Sequence, residues 1–229
     1  MALLAGWAAI WILIHRLISG GPLRRWMVGC IGERPYRFSF AVLSIVCLAG
    51  LANAYANVKA TGAATAPWLV GGVALIQLFA ATLVVAGLST RNPTIAGMGD
   101  AVDEPDIVHG MVRVTRHPFL WGVLLWSASH LLVRHDPAAL LFFGSIGVVA
   151  AMGMWSIDRK RRLASGAAWL EFSRKTSLAP FLAIAAGRQP FIFSEIGLWR
   201  IVAAITFWFA MLSLHPYFGS GLRLFPPIA

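Results

Sequence analysis

Six long apolar runs constrain the fold of this chain of 229 residues more than any other feature. Each run is close to the roughly 20 residues that an α-helix needs to cross the hydrocarbon core of a bilayer. A helix suits that environment because it satisfies its backbone hydrogen bonds within one segment. We therefore predict one all-α domain over residues 1–229, a polytopic integral membrane helical bundle with about six transmembrane helices. The predicted spans are 2–19, 38–58, 67–88, 118–134, 138–157 and 196–214.

The composition supports a membrane protein and argues against a nucleic-acid-binding one. Hydrophobic residues make up 59% of the chain and charged residues 12%, and the mean hydropathy is +0.74, far from the balance of a soluble domain. A net charge of +10 would suit nucleic acid, but the basic residues lie between the apolar runs. Anionic lipid headgroups explain that charge, so the expected partner is the lipid bilayer and no nucleic acid. With only Cys30 and Cys47 present, a disulfide framework is excluded.

The distribution of arginine and lysine predicts the orientation of the spans. The connections after the first, third and fifth runs are strongly basic, whereas the other two contribute only Lys59 and Arg134. The positive-inside rule then places the basic connections in the cytoplasm and both termini in the periplasm, across a bacterial inner membrane. The first run opens at Met1 with no basic residue before it, which favours a retained span over a signal peptide.

Two of the predicted cytoplasmic connections have sequence patterns that predict ordered structure or membrane contact. Residues 89–117 contain Asn92-Pro93 and several acidic side chains, a pattern that predicts an ordered loop or a lid. Residues 158–195 carry four basic residues near their start, at 159–162, and continue through Trp169 and Phe172. That amphipathic pattern predicts a segment lying in the lipid headgroup region, although the basic run is also explained as a simple positive-inside anchor.

Two histidines, His15 and His130, lie inside apolar runs, where ionisable side chains are expensive and usually functional. A single buried histidine can be satisfied by a carbonyl or a hydroxyl, so ordinary packing remains an alternative. Two of them on different helices of a bundle favour a metal centre. Paired neutral imidazoles suit the iron of haem b, whereas zinc would require further ligands. The sequence therefore predicts a catalytic haem b with His15 and His130 as its metal ligands.

Two neighbours of His130 are predicted to contact the same cofactor. Trp126 and Ser127 precede His130 by four and three residues, so all three share one side of a helix. Trp126 can pack against a flat ring, and Ser127 can offer a hydroxyl beside the iron. The alternative for Trp126 is ordinary packing or anchoring at the membrane interface.

The segment Arg116-His117-Pro118 predicts a helix start with an affinity for anions. Proline at a first helical position costs no hydrogen bond, and the free N–H groups there favour negative charge. With Arg113 nearby, this position is predicted to hold a haem propionate, a lipid phosphate or a nucleotide. His117 is also a competing ligand for the iron. A plain helix start with ordinary cytoplasmic charges is the simpler interpretation.

Several of these residues together resemble the NnrU family, which includes the plant and algal 15-cis-zeta-carotene isomerases. His15 and Ser19 resemble the opening signature of the family, and a second signature begins at residue 116. The segments that carry the resemblance are Leu23-Arg24, Ile31-Gly32-Glu33-Arg34, Tyr36-Arg37, Arg116-His117-Pro118, Trp121-Gly122, Leu125-Trp126 and Ser129-His130-Leu131-Leu132.

The resemblance implies a membrane haem b enzyme whose ligands align with His15 and His130. It also implies a redox-dependent cis–trans isomerase that acts on a lipophilic polyene. The family places a cysteine, an alternative axial ligand, where this chain has Ser127. A hydroxyl is a poorer iron ligand than a thiolate, so the chain departs from the family pattern there.

Two other functions stay open, and so does the oligomeric state. Bacterial members of the family are linked by name to nitrite and nitric oxide metabolism, which suggests an accessory or sensor haem protein. Residues 113–122 and 158–180 are also similar to isoprenylcysteine carboxyl methyltransferases. That similarity implies a membrane methyltransferase using S-adenosylmethionine.

Overall fold

The computed structural model describes residues 1–19, 21–58, 67–134 and 136–215, and every regular element in these residues is helical. A π-helical segment, Ile14–Ile18, continues the first helix, and short 3₁₀ turns lie at Gly99–Asp103 and Phe193–Ile196. The predicted all-α class is therefore confirmed for the described residues. The α-helices are α1 (Ala2–Leu13), α2 (Gly21–Ile31), α3 (Glu33–Ala56), α4 (Pro67–Ser89), α5 (Met111–Val114), α6 (Pro118–Val133), α7 (Pro137–Lys175), α8 (Leu182–Ala185) and α9 (Leu198–Leu214).

Each of the six predicted runs falls on a helix, in the order α1 with its π-helical continuation, α3, α4, α6, α7 and α9. Three helices of the described chain, α3, α4 and α7, are long and apolar enough to cross a membrane. The bent pair Ala2–Ile18 and Gly21–Ile31 would be a fourth span if it counts as one. Helices α6 and α9 are apolar but shorter, with 16 and 17 residues. The helix positions agree with the sequence, while the number of six spans stays a prediction.

The chain divides into two compact units, the first formed by Met1–Val73, Ser127–Val149 and Ser213–Ala229. Within it α1 and its π-helical continuation bury Leu4, Ala8, Trp11 and Ile14, whose spacing places them on one side of the helix. Gly50 of α3 lies so close to α1 that a Cβ atom there would be 2.6 Å from the Trp7 ring. Small residues allow membrane helices to approach in this way.

The second unit consists of Ala74–Trp126 and Ala150–Leu212. Its helices α4 and α6 also pack through glycine. A Cβ atom at Gly122 would lie 2.6 Å from Cγ2 of Val84 and 2.7 Å from the carbonyl oxygen of Ala80. No side chain fits at position 122 without moving α4.

The connection 89–117 is a packed element of the second unit. A 3₁₀ turn and α5 lie within it, and its residues Ala101, Val102, Ile107 and Val112 form a buried cluster with Trp169 and Phe172 of α7. Trp169 and Phe172 are therefore covered by the chain itself, while the position of the 158–195 segment in the headgroup region stays a prediction. Helix α7 also continues well past its predicted end at residue 157.

Glycine 166 marks a break within α7. Its φ of +45° and ψ of −112° lie outside the helical region, and residues with a Cβ atom rarely adopt a positive φ. The break lies between the basic run 159–162 and the part of α7 that carries Trp169 and Phe172.

Candidate functional site

His15 lies in the π-helical segment at the end of α1, a rare conformation that is often found at functional sites. Its Nδ1 atom is 2.9 Å from the carbonyl oxygen of Trp11. Because a carbonyl can only accept a hydrogen bond, Nδ1 carries the proton and Nε2 of the neutral ring keeps a lone pair. A histidine that binds a metal through one nitrogen commonly donates from the other in this way.

The surroundings of His15 hold both the ring and the π-helical backbone. The ring lies 4.2 Å from the Trp11 ring and meets Phe40 edge-on at 5.4 Å, measured between ring centroids. The hydroxyl of Tyr36 donates to the carbonyl oxygen of Ile18 at 2.7 Å, and the Ser19 hydroxyl donates to the carbonyl of His15. Residues of α3 therefore fix the segment that carries His15.

His130 is half-buried on α6 and belongs, like His15, to the first unit. Its ring stacks on Phe143 of α7 with 4.4 Å between centroids and 13° between planes. The His215 ring lies 6.2 Å from it. Neither His215 nor Phe143 could be connected to His130 from the sequence, because tertiary packing alone brings them to it.

Helix α6 runs without interruption through Trp126, Ser127 and His130, as predicted. Ser127 is 1% exposed, and its hydroxyl has no hydrogen-bond partner. The same is true of the indole Nε1 of Trp11, which is 8% exposed. Each of these unpartnered atoms belongs to a residue about one helical turn before a candidate ligand.

Arg116 and His117 form a cluster with Asp158 in the second unit. The Arg116 guanidinium donates to both carboxylate oxygens of Asp158, and Nε2 of His117 is 2.6 Å from Oδ1. Burial lowers the pKa of His117, which is 1% exposed, so its ring is neutral at pH 7. Its Nδ1 atom has no partner. Sequence reasoning missed Asp158, because it follows His117 by 41 residues.

Arg113 is likewise paired with groups of the chain itself. Its guanidinium donates to Glu195 at 2.7 and 2.9 Å and to the side-chain oxygen of Gln189, and the Gly110 amide also donates to Glu195. The two arginines predicted to hold a propionate thus already contact carboxylates. Binding of an external anion by these arginines stays a prediction. It would require each arginine to break its ion pair with Glu195 or Asp158 and to form one with the anion.

The Arg113–Glu195 pair predicts a pH-dependent stability. The hydrogen bond from Arg113 lowers the pKa of Glu195 in the folded protein. Its stabilising contribution is therefore complete above the pKa of an unfolded glutamate and is lost as the pH falls through the lowered value. We expect Glu195→Gln to cost about 1–2 kcal/mol at pH 7 and less at pH 4, measured by thermal unfolding in detergent. Glu171→Gln, at an exposed glutamate, is the control, and an equal loss at both pH values would contradict this prediction.

The described residues contain no group of three or more histidine, cysteine, aspartate or glutamate side chains arranged to hold a metal ion. A haem iron differs from such a centre because the porphyrin supplies four of its ligands, so two histidines complete it. His15 and His130 are of the right type, and the tautomer of His15 is suited to ligation.

The model of the NnrU protein family matches residues 3–220 of this chain. The chain is 29% identical over 166 residues to the chloroplastic 15-cis-zeta-carotene isomerase of Zea mays, covering 69% of this chain and 44% of that protein. It is 26% identical over 196 residues to the enzyme of the same name from Arabidopsis thaliana, covering 78% and 50%. The chain thus spans about half the length of these relatives, and no solved structure matches it. Since the family model covers nearly its whole length, this chain belongs to the NnrU family.

Proposed function

We propose that the protein is a membrane cis–trans isomerase of a lipophilic polyene and that it holds haem b through His15 and His130. The observation that carries the proposal is His15, whose π-helical backbone and Nδ1 hydrogen bond leave Nε2 suited to a metal. The relatives named as carotene isomerases supply the reaction class. Six spans in a bacterial inner membrane, with both termini periplasmic, complete the proposal.

The residues present fit a haem in their chemistry, since two histidines of one unit can supply two nitrogen ligands. His15 and His130 lie on different helices of one unit, and aromatic side chains contact both rings. When bound, haem b supplies an iron that changes oxidation state, which is the source of the proposed redox dependence. The chain orients the ligand rings, through the Trp11 carbonyl at His15 and the stacked Phe143 at His130.

An apolar groove in the same unit suits an elongated substrate. It has a volume of about 410 Å³, and alanines of α1 face Leu140, Gly144 and Val148 of α7 across it. Ile12, one of its lining residues, lies three residues before His15. The lining carries no charged side chain, so the groove favours apolar contacts with a hydrocarbon chain.

The function is tested by producing the protein in bacteria that make tri-cis zeta-carotene and by separating the pigments by chromatography. We expect conversion toward the isomer that lacks the central cis bond, and no conversion with an inactive His15→Ala variant. An isomer ratio equal to that of cells without the protein would reject the isomerase proposal.

Filling the groove should lower activity without removing the cofactor. A Cβ atom at Gly144 would meet no atom within 4 Å, so Gly144→Leu enters the groove without a backbone clash. We expect isomerisation to fall about tenfold or more, since small displacements of a bound substrate cost that much, while the haem spectrum stays unchanged. Gly71→Leu on α4 is the matched control, because it also meets open space and does not line the groove. Equal activity of the two variants would reject the proposal that the groove binds the substrate.

A further inference from the structure

Two buried hydrogen-bond donors of the first unit have no acceptor. They are the indole N–H of Trp11 and the hydroxyl of Ser127, with exposures of 8% and 1%. Among the described residues the third such atom is Nδ1 of His117, which belongs to the second unit. A buried donor without a partner costs free energy, so each one calls for an explanation.

Comparable side chains elsewhere in the chain do find acceptors. The hydroxyls of Ser44 and Ser145 donate to carbonyls four and three residues earlier, at 2.8 and 3.0 Å. The indole N–H groups of Trp121 and Trp208 donate to the carbonyls of Leu178 and Ala74. Ser127 and Trp11 lie in helices of the same kind but lack such bonds. The missing acceptor is therefore a feature of these two positions.

Both positions stand in the same relation to a candidate haem ligand. Trp11 precedes His15 by one helical turn, and the two rings are 4.2 Å apart. Ser127 precedes His130 by three residues on an uninterrupted helix, so the two lie on one side of it. Each candidate ligand is thus accompanied by one unpartnered donor.

We propose that Trp11 and Ser127 donate hydrogen bonds to oxygen atoms of the bound cofactor, namely the carboxylates of the haem propionates. This inference rests on the proposed haem. It gives the propionates hydrogen-bond donors other than Arg113 and Arg116, which contact Glu195 and Asp158. A carboxylate is a strong acceptor, and hydrogen bonds to it are stronger than those between neutral groups.

The test compares Trp11→Phe and Ser127→Ala with the matched controls Trp208→Phe and Ser145→Ala, whose donors have internal acceptors. In the haem-free full-length protein, we expect the first two variants to unfold at or above the wild-type temperature, because they remove an unsatisfied group. The controls should unfold at a lower temperature. On titration with haem b, followed at the Soret band, each of the first two should bind about tenfold more weakly, while the controls match the wild type.

A second titration uses haem b dimethyl ester, in which the carboxylates are neutral. The wild type should bind the ester more weakly than haem b, and the two substitutions should then have little further effect. Unchanged haem affinity in both variants, or destabilisation of their haem-free forms to the level of the controls, would overturn this inference alone. A substitution effect that persists with the ester would assign the donors to another acceptor and would also overturn it. A wild type that binds no haem would remove the proposed cofactor together with this inference.

Discussion

Haem is expected to be lost when either His15 or His130 is replaced by alanine. Each substitution removes one of two ligands to the iron, and the loss of even an outer partner of a metal ligand costs roughly 10–100-fold in affinity. We therefore expect the Soret absorbance per mole of protein to fall about tenfold or more in each variant. The measurement is the visible spectrum of the purified protein after supplementation with haem.

Substitutions at two further histidines serve as a control and as a test of the competing ligand. His109→Ala is the control, because His109 lies in the 89–117 connection and contacts the backbone of Asp106. His117→Ala tests the competing ligand, which the structure pairs with Asp158. Unchanged spectra in both His15→Ala and His130→Ala would reject the ligand assignment. Loss of haem in His117→Ala, with haem retained in His130→Ala, would transfer that role to His117.

Replacing Asp158 by alanine is expected to destabilise the fold strongly. The change leaves the Arg116 guanidinium, whose side chain is only 13% exposed, without its counter-charge and leaves Nε2 of His117 without an acceptor. Breaking a buried ion pair by removing one partner costs about 3–5 kcal/mol, and because this pair is only partly buried we expect about 3 kcal/mol. Each kcal/mol corresponds to roughly 2–4 °C in a domain of this size, so thermal unfolding in detergent should show a fall of about 10 °C.

The matched control for Asp158 is Glu171→Ala, also on α7. Glu171 forms an exposed pair with Lys175 at 3.2 Å, and such pairs contribute about 0.5 kcal/mol or less. Its unfolding temperature should stay within about 2 °C of the wild type. If Asp158→Ala unfolds at the same temperature as this control, the cluster contributes no net stability.

The positions of the helices could be predicted because long apolar runs signal them directly. Helix α2 was not predicted, because Arg24 and Arg25 interrupt its apolar residues and no long apolar run marks it. The length of α7 was underestimated because its second part is amphipathic and contacts residues of the 89–117 connection. The contact of Trp169 with that connection could not be predicted, because sequence shows an apolar side but not what covers it.

In the candidate site, the ligand residues could be predicted from the sequence, but their contacts could not. His15 and His130 stand out by type, because ionisable residues are rare in apolar runs. The contacts that orient them depend on partners distant in sequence, such as Tyr36, which binds the carbonyl of Ile18, and Phe143, which stacks on His130. The amino-acid sequence around residue 14 does not indicate the π-helical segment either. Its backbone conformation depends on distant contacts such as the hydrogen bond from Tyr36.

The π-helical segment also determines how the chain would tolerate a change in length. A π turn contains one residue more than an α turn, and one residue rotates a helix by about 100°. Deleting one residue within Ile14–Ile18 would leave a regular α-helix, whereas the same deletion in the middle of α1 would rotate the buried side that carries Leu4 and Ala8. This short stretch is thus the place where the loss of one residue can be absorbed while the packing of the first helix against α3 is kept. The residues that follow it would keep the face that they have now, because the deleted residue is the extra one of the π turn.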